Sequence, residues 1–353
     1  MAVSLEGVLL GEKNQRAGKS RRTFLNELAR YGGALAIGSS ASRLRAQASV
    51  DWSKLIGIQL VMLRDEMTKD VDATLAQVAA IGYRYVNPVG FSGFDAKAYR
   101  ALLDRHGLSA PQIDLGFSTG AGMEEDLEAC QILGIKYAEP AFGGGAQRGS
   151  ARSGGATDPY ARPASAGFRR PATPPPQTEE EVKHTAADYN SYGKVARKFG
   201  IKVIYHNHVE HFELLTGSKS TFFDVFLSET DPELVGMELN LGFTAIAGRN
   251  IPDAIRKYPG RFPVWDIRDA LGLKNADANP ALTPNQRRQY TYSVPVGLGE
   301  VDFKTIFASA ETAGLKNFFV LQDNAAAWGD SMAAARVAYQ NLTKILAPGN
   351  GLK

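Results

Sequence analysis

An α/β barrel of eight strand–helix units is the fold class that this 353-residue sequence predicts. Three observations carry it. Short apolar runs alternate with helix-period segments all along the chain beyond residue 50. Glycines stand where four of those helices must stop, at Gly82, Gly107, Gly134 and Gly200. The length left after an N-terminal leader fits one barrel and needs no second domain. An open doubly wound sheet would ask for a G-x-G-x-x-G turn after the first strand, and none is there.

Taken in order, Met1 to Ala48 reads as a cleavable leader. Ser20-Arg21-Arg22-Thr23-Phe24-Leu25 resembles the twin-arginine export motif, a weakly apolar Gly/Ala/Ser-rich run follows, and Ala46-Gln47-Ala48 gives an A-x-A cleavage pattern. The run is too short and polar for a stable membrane span. The body, 49–353, then offers strands over Leu55 to Val61, Tyr83 to Pro88, Ala110 to Phe117, Tyr137 to Phe142, Lys202 to His208, Val235 to Gly242, Phe262 to Asp269 and Asn317 to Asp323. Helices are predicted over Val71 to Ala80, Asp95 to His106, Met123 to Leu133, Glu179 to Phe199, Thr221 to Ser228, Ile251 to Lys257, Phe303 to Ala313 and Ser331 to Leu346. One stretch breaks the rhythm. Residues 143–177, after the fourth strand, carry Gly143-Gly144-Gly145, Pro174-Pro175-Pro176 and five arginines against one aspartate, so they predict a mobile insertion over the catalytic face.

Charge narrows the function. The leader takes eight of the 40 Lys/Arg and three of the 37 Asp/Glu, which leaves 32 basic and 34 acidic residues in the body. A slightly acidic body argues against nucleic-acid binding. Cys130 is the one cysteine, at helical spacing from Leu127, so it predicts a buried packing residue and no internal disulfide.

The chemistry gathers at strand ends. In Lys202-Val203-Ile204-Tyr205-His206-Asn207-His208 two of the five histidines share one strand face near its C-terminal end. That rim is where a barrel carries its active site. Glu139 and Asp114 end the fourth and third strands and are candidate acids or bases, with pairing to a rim arginine and bonding to loop amides as their plainer roles. Asp266 and Arg268 end the seventh strand, Asn240 the sixth and Asp323 the eighth. Arg268 is expected either to clamp an anion or to neutralise Asp266, and Trp328 either to stack on a sugar or to pack.

Tyr205-His206-Asn207-His208, Met237-Glu238-Leu239-Asn240-Leu241-Gly242, Val264-Trp265-Asp266-Ile267-Arg268-Asp269 and Gly297-Leu298-Gly299-Glu300-Val301-Asp302-Phe303 together resemble the xylose-isomerase-like TIM-barrel family of sugar phosphate isomerases and epimerases. The resemblance implies a single divalent metal held by one ligand from each of strands five to eight, polarising a substrate while a carboxylate or histidine moves a proton. By motif those positions fall on His206, Asn240, Asp266 and Leu321. His206, Asp266 and Asn240 are therefore the candidate ligands, and Leu321, which ligates nothing, leaves the site degenerate. Asn87 and Asp114 stand where the family often has an acid and a histidine. His206, His208, Glu139, Asp114 and Asp266 are the expected catalytic groups. Arg268, Asn240, Asp323 and Trp328 are the expected substrate contacts.

The expected protein is a periplasmic or secreted enzyme, exported through the twin-arginine machinery. It would act on a carbohydrate by proton abstraction next to a carbonyl, in an isomerase or epimerase reaction. A β-eliminating lyase on oxidised glycosides and a catalytically silent carbohydrate binder are the alternatives. A metal-dependent endonuclease is the weakest reading, because the body is acidic and ligands are missing.

Overall fold

In the computed structural model the described residues are 50–116, 121–140, 177–323, 325 and 329–347. The leader, Trp328 and all of the 143–177 insertion except Gln177 lie outside them.

Parallel pairing runs right round the sheet. The strands are β1 (Ile56–Gln59), β2 (Tyr85–Asn87), β3 (Gln112–Leu115), β4 (Tyr137–Pro140), β5 (Lys202–His206), β6 (Val235–Asn240), β7 (Val264–Ile267), β8 (Asp269–Leu271), β9 (Tyr292–Val294) and β10 (Asn317–Val320). Eight of them hydrogen-bond in the order β2-β1-β10-β7-β6-β5-β4-β3. The two ends of that order meet through Val86 N–H to Ser109 O (2.9 Å), Asp114 N–H to Pro88 O (3.1 Å) and Gly90 N–H to Asp114 O (3.0 Å). The result is the predicted (β/α)8 barrel. Strands β8 and β9 form a separate antiparallel ribbon in the excursion between β7 and β10.

Many of the helices start where a short polar side chain offers an acceptor to the unpaired amides. Asp70, Asp95, Thr178, Thr221, Asn250 and Asp330 cap the helices Val71–Ile81, Ala96–Arg105, Glu179–Arg197, Phe222–Glu229, Ile251–Lys257 and Ser331–Ile345. Thr178 and Glu181 complete a reciprocal capping box. Gly82, Gly107, Gly134 and Gly200 all have positive φ, between 64° and 126°, which is the helix-stopping conformation their position predicted.

The predicted fifth, seventh and eighth strands end early, at His206, Ile267 and Val320, and one predicted helix is broken. The predicted helix from Phe303 to Ala313 is two short ones, Phe303–Phe307 and Ala310–Ala313. Ser309 N–H closes onto Ile306 O (2.9 Å), and that tight turn ends the first helix. The predicted seventh strand to Asp269 stops at Ile267. Asp269 instead accepts from the backbone N–H groups of Gly297, Gly299, Val301 and Ala270, at 2.9–3.1 Å, and pulls the chain off the barrel into the ribbon. A Cβ on Gly299 would sit 2.1 Å from the Asp269 carboxylate, so this wrap requires glycine.

Inside the barrel, Ile204, Val264 and Phe319 form a dry apolar plug, with Tyr85 and Tyr137 against it. Phe319 fits because Gly57 faces it; a Cβ there would lie 2.5 Å from the ring. The helix-side core is a second and much larger cluster, in which Cys130 is fully buried. Among the described residues no helix is long and apolar enough to cross a membrane.

Candidate active site

Two residues beyond the plug the side chains turn polar on β5 and β7, while the β10 side stays apolar. Ile204 gives way to His206, Val264 to Asp266 and Phe319 to Leu321, because residues i and i+2 share a strand face. The parallel register pairs His206 with Glu238 and Asn240 with Asp266. His206 Nδ1 lies 3.0 Å from Asp266 Oδ2 and 3.5 Å from Glu238 Oε2. Gln59, at the end of β1, donates its Nε2 to Glu238 Oε1 (3.1 Å) and to Asp266 Oδ1. Both carboxylates are fully buried.

Burial at such depth fixes the protonation pattern. Burial works against an imidazolium at His206, but Asp266 and then Glu238 outweigh it and hold its pKa well above the ordinary value. Burial opposes ionisation of Asp266 too, yet His206 wins and keeps that carboxyl below the usual range. Glu238 goes the other way. Burial and the adjacent Asp266 charge push it well up, with the Asp114 charge adding to the effect. The direction is that of one shared anion: Asp266 ionised on His206, Glu238 holding its proton.

Glu139, at the end of β4, completes the cluster. One ligand-type atom each from Glu139, His206 and Glu238 lie within 4.8 Å of one another, a donor set compatible with a divalent ion. Asp114 accepts from Asn87 Nδ2 at 3.1 Å on the facing wall.

The structure thus brings four of the predicted groups together: His206, Asp266, Glu139 and Asp114. It assigns others differently. Asn240 is a weak candidate for a ligand, because its Oδ1 accepts from Phe243 N–H (2.9 Å) to cap the helix Leu241–Ile246 while its Nδ2 donates to Asp266 Oδ2 (3.2 Å). Arg268 forms its ion pair with Asp323, while its charge still helps to hold the Asp266 carboxyl down. Both of its Nη atoms meet Asp323, one at 2.9 Å, and its guanidinium lies 4.1 Å over the Phe243 ring. Gly242 makes that path possible, since a Cβ there would be 2.6 Å from Arg268 Cγ. Leu321 is buried and apolar at the position where the family resemblance expects a glutamate.

At the rim, the His208 ring is 5.0 Å from that of His206 and edge-on to Phe243 at 5.2 Å. Its Nδ1 is 3.3 Å from Glu210 Oε1. Desolvation lowers the His208 pKa and the Glu210 bond restores part of it, so the ring, half exposed at the rim, is neutral near pH 7. Burial opposes the Glu210 charge, but its bond to His208 holds it down to about 2. Behind them His211 Nδ1 accepts the His208 N–H (2.8 Å), and its Nε2 meets the Tyr205 hydroxyl (3.1 Å).

Glu238, Gln59 and Glu210 are the site residues that sequence reasoning passed over. Glu238 had a signal, because it shares a strand face with Asn240 in Met237-Glu238-Leu239-Asn240.

With this geometry in place, known proteins give a consistent picture. No family model matches the chain. A stretch of 134 residues is 31% identical to the inosose dehydratase of Clostridium tetani, covering 37% of this chain and 43% of that protein. The chain therefore spans less than half the length of this curated relative. A sugar phosphate isomerase/epimerase from Parabacteroides distasonis superposes with a TM-score of 0.59 at 19% identity, over 86% of this chain and 96% of the other. The IOLI protein with a bound zinc atom superposes with a TM-score of 0.53 at 13% identity, over 83% and 98%. At these identities the likeness is one of fold, and at that level it supports the resemblance read from the sequence.

Proposed function

We propose that this chain is an exported enzyme that removes a proton next to a carbonyl of a keto-sugar, a keto-glycoside or a related polyol. The observation that carries the reading is the convergence of His206, Asp266, Glu238 and Glu139 at the C-terminal ends of adjacent barrel strands, with the neutral His208 beside them at the rim. Glu210 keeps a proton on His208 Nδ1 and so leaves Nε2 as the acceptor. His208 Nε2 takes the substrate proton, and the positive charge of His206, held on Asp266, stabilises the enolate that forms. Glu238, buried and protonated, is placed as a proton donor to that enolate. A divalent ion bound at the cluster would supply Lewis-acid stabilisation of the same charge. Export rests on the Ser20 to Leu25 motif and the Ala46-Gln47-Ala48 ending.

Two outcomes follow one abstraction. Return of the proton to the other face gives an epimer, or to the neighbouring enediol carbon an isomer, whereas loss of a β-hydroxyl gives an enone. The 31% identity to an inosose dehydratase favours keeping the elimination as a second reading.

Incubation with keto-sugars, 3-keto-glycosides and keto-cyclitols in deuterated water is the test. Exchange of the α-proton is expected, with enone absorbance distinguishing elimination from epimerisation. His208→Ala and His206→Ala should each slow exchange by about 10²-fold or more, the usual scale for losing a general acid or base. A panel that binds but never exchanges would establish a carbohydrate-binding relative instead.

A further inference from the structure

We infer that the divalent-cation seat of this barrel is built from Glu139, His206 and Glu238, on β4, β5 and β6, and not from the strand-five-to-eight positions that the family resemblance points to. This inference stands on geometry and does not depend on the reaction proposed above.

Three adjacent parallel strands present one donor each, and the donor atoms lie within 4.8 Å of one another. A central ion can bridge atoms so spaced at ordinary bond lengths of about 2.0–2.6 Å. A cluster of acids alone would prove little. Here a second observation points into it: Glu238 Oε2 is fully buried and has no hydrogen-bond partner, although Gln59 satisfies Oε1 of the same carboxylate. An unsatisfied buried acceptor is costly, and natural sites fill such positions with a water or an ion. Among the described residues the ion-pair contact of that oxygen is His206 Nδ1, at 3.5 Å. A divalent ion seated there would displace the protons that His206 and Glu238 otherwise hold.

Asp266 takes the place of an orienting residue. Its Oδ2 is 3.0 Å from His206 Nδ1, a carboxylate–histidine contact of the kind that orients a ring beside a metal. The other expected positions are spent. Asn240 Oδ1 is engaged as a helix cap, and Leu321 has no donor atom. Two carboxylate oxygens and one nitrogen leave coordination positions open. Such a set suits zinc, manganese or cobalt better than magnesium, which prefers oxygen and retains water.

The test uses the full chain, stripped with chelator and titrated calorimetrically with Mn²⁺, Co²⁺ and Zn²⁺. One ion per chain is expected. Glu139→Gln and Glu238→Gln should each weaken binding by about 10²-fold. Asp266→Asn should weaken it by about 10–100-fold, as removal of an orienting partner does. Leu321→Ala should leave affinity within about twofold, a range that on the same logarithmic scale is below half a kcal/mol. Should a variant misfold, electron spin-echo spectroscopy of Mn²⁺ on the unmodified chain gives an independent readout: coupling to one imidazole nitrogen is expected. Absence of binding, absence of that nitrogen coupling, or unchanged affinity in Glu139→Gln and Glu238→Gln would overturn the assignment.

Discussion

Mild acid should destabilise this barrel through His211, and the size of the effect follows from its surroundings. Nδ1 accepts the His208 N–H at 2.8 Å, Nε2 meets the Tyr205 hydroxyl at 3.1 Å, and the ring packs 4.6 Å from Phe222. A second proton would bring a ring N–H against a backbone N–H. Burial pushes the His211 pKa down to about 3, with the neighbouring His208 and His206 adding to the effect. In the unfolded chain it returns to about 6.5. Between those values the unfolded state binds a proton that the folded state refuses. The stability from His211 is therefore complete above about pH 6.5 and is lost as pH falls toward 3. At pH 5 the deficit spans about 1.5 pH units, or about 2 kcal/mol. His206 works in the opposite sense, since its raised pKa favours the folded state at low pH, so the wild-type slope alone is not diagnostic. The comparison is with His211→Gln, which keeps an acceptor for the backbone and a donor for Tyr205 but does not titrate. Urea unfolding at pH 7.5 and pH 5.0 should show the wild type losing about 2 kcal/mol more than the variant. Equal losses in the two proteins would refute a neutral, proton-excluding His211.

Two further outcomes are expected. Gly57→Ala places a Cβ 2.5 Å from the Phe319 ring, and should lower stability by about 1–3 kcal/mol, with partial recovery on adding Phe319→Leu. Strictly additive losses in the double variant would show that the plug is not the cause. Changing Arg21 and Arg22 to lysine should hold the precursor in the cytoplasm with its leader attached; unchanged processing in a cell-fractionation blot would remove the twin-arginine reading.

Local rules made most of the fold legible. Strand and helix periods, four helix-stopping glycines and the polar caps are written within a few residues of where they act. The strand-end histidines were legible for the same reason. What stayed hidden depends on relations between strands. Glu238 and Asn240 both face inward, and only the stagger between neighbouring strands decides that Glu238 lies level with His206 while Asn240 turns back to cap its own helix. Motif matching selected Asn240 and passed over the deeper acid. Arg268 shows the same limit, because its partner Asp323 is 55 residues away and no local pattern announces the pair. Asp269 is a milder case. The glycine motif from Gly297 to Phe303 was visible as a resemblance, but its physical purpose, to wrap amides around one carboxylate, needed the fold.

The altered residues are better understood as a displaced centre than as a damaged one. The resemblance expects a metal ligand on the seventh strand, where Asp266 stands, and Asp266 instead meets the imidazole of His206 on β5, at 3.0 Å. Strand β6 lies between them, and it supplies Glu238 to one neighbour and Asn240 to the other. Acid, imidazole and acid therefore still alternate along one wall. Leu321 removes the donor on the far side, and Glu139 on β4 adds one on the near side. Had the centre merely decayed, drift would be expected to leave buried charges without partners, which a folded barrel tolerates poorly. Instead Gln59 holds both carboxylates from β1, and His206 is shared between them. On the function proposed above, a rotated constellation of this kind would keep proton-transfer chemistry at the mouth while changing which face of a bound sugar meets the acid. Changed stereochemical outcome, more than lost activity, is the expected signature of these substitutions.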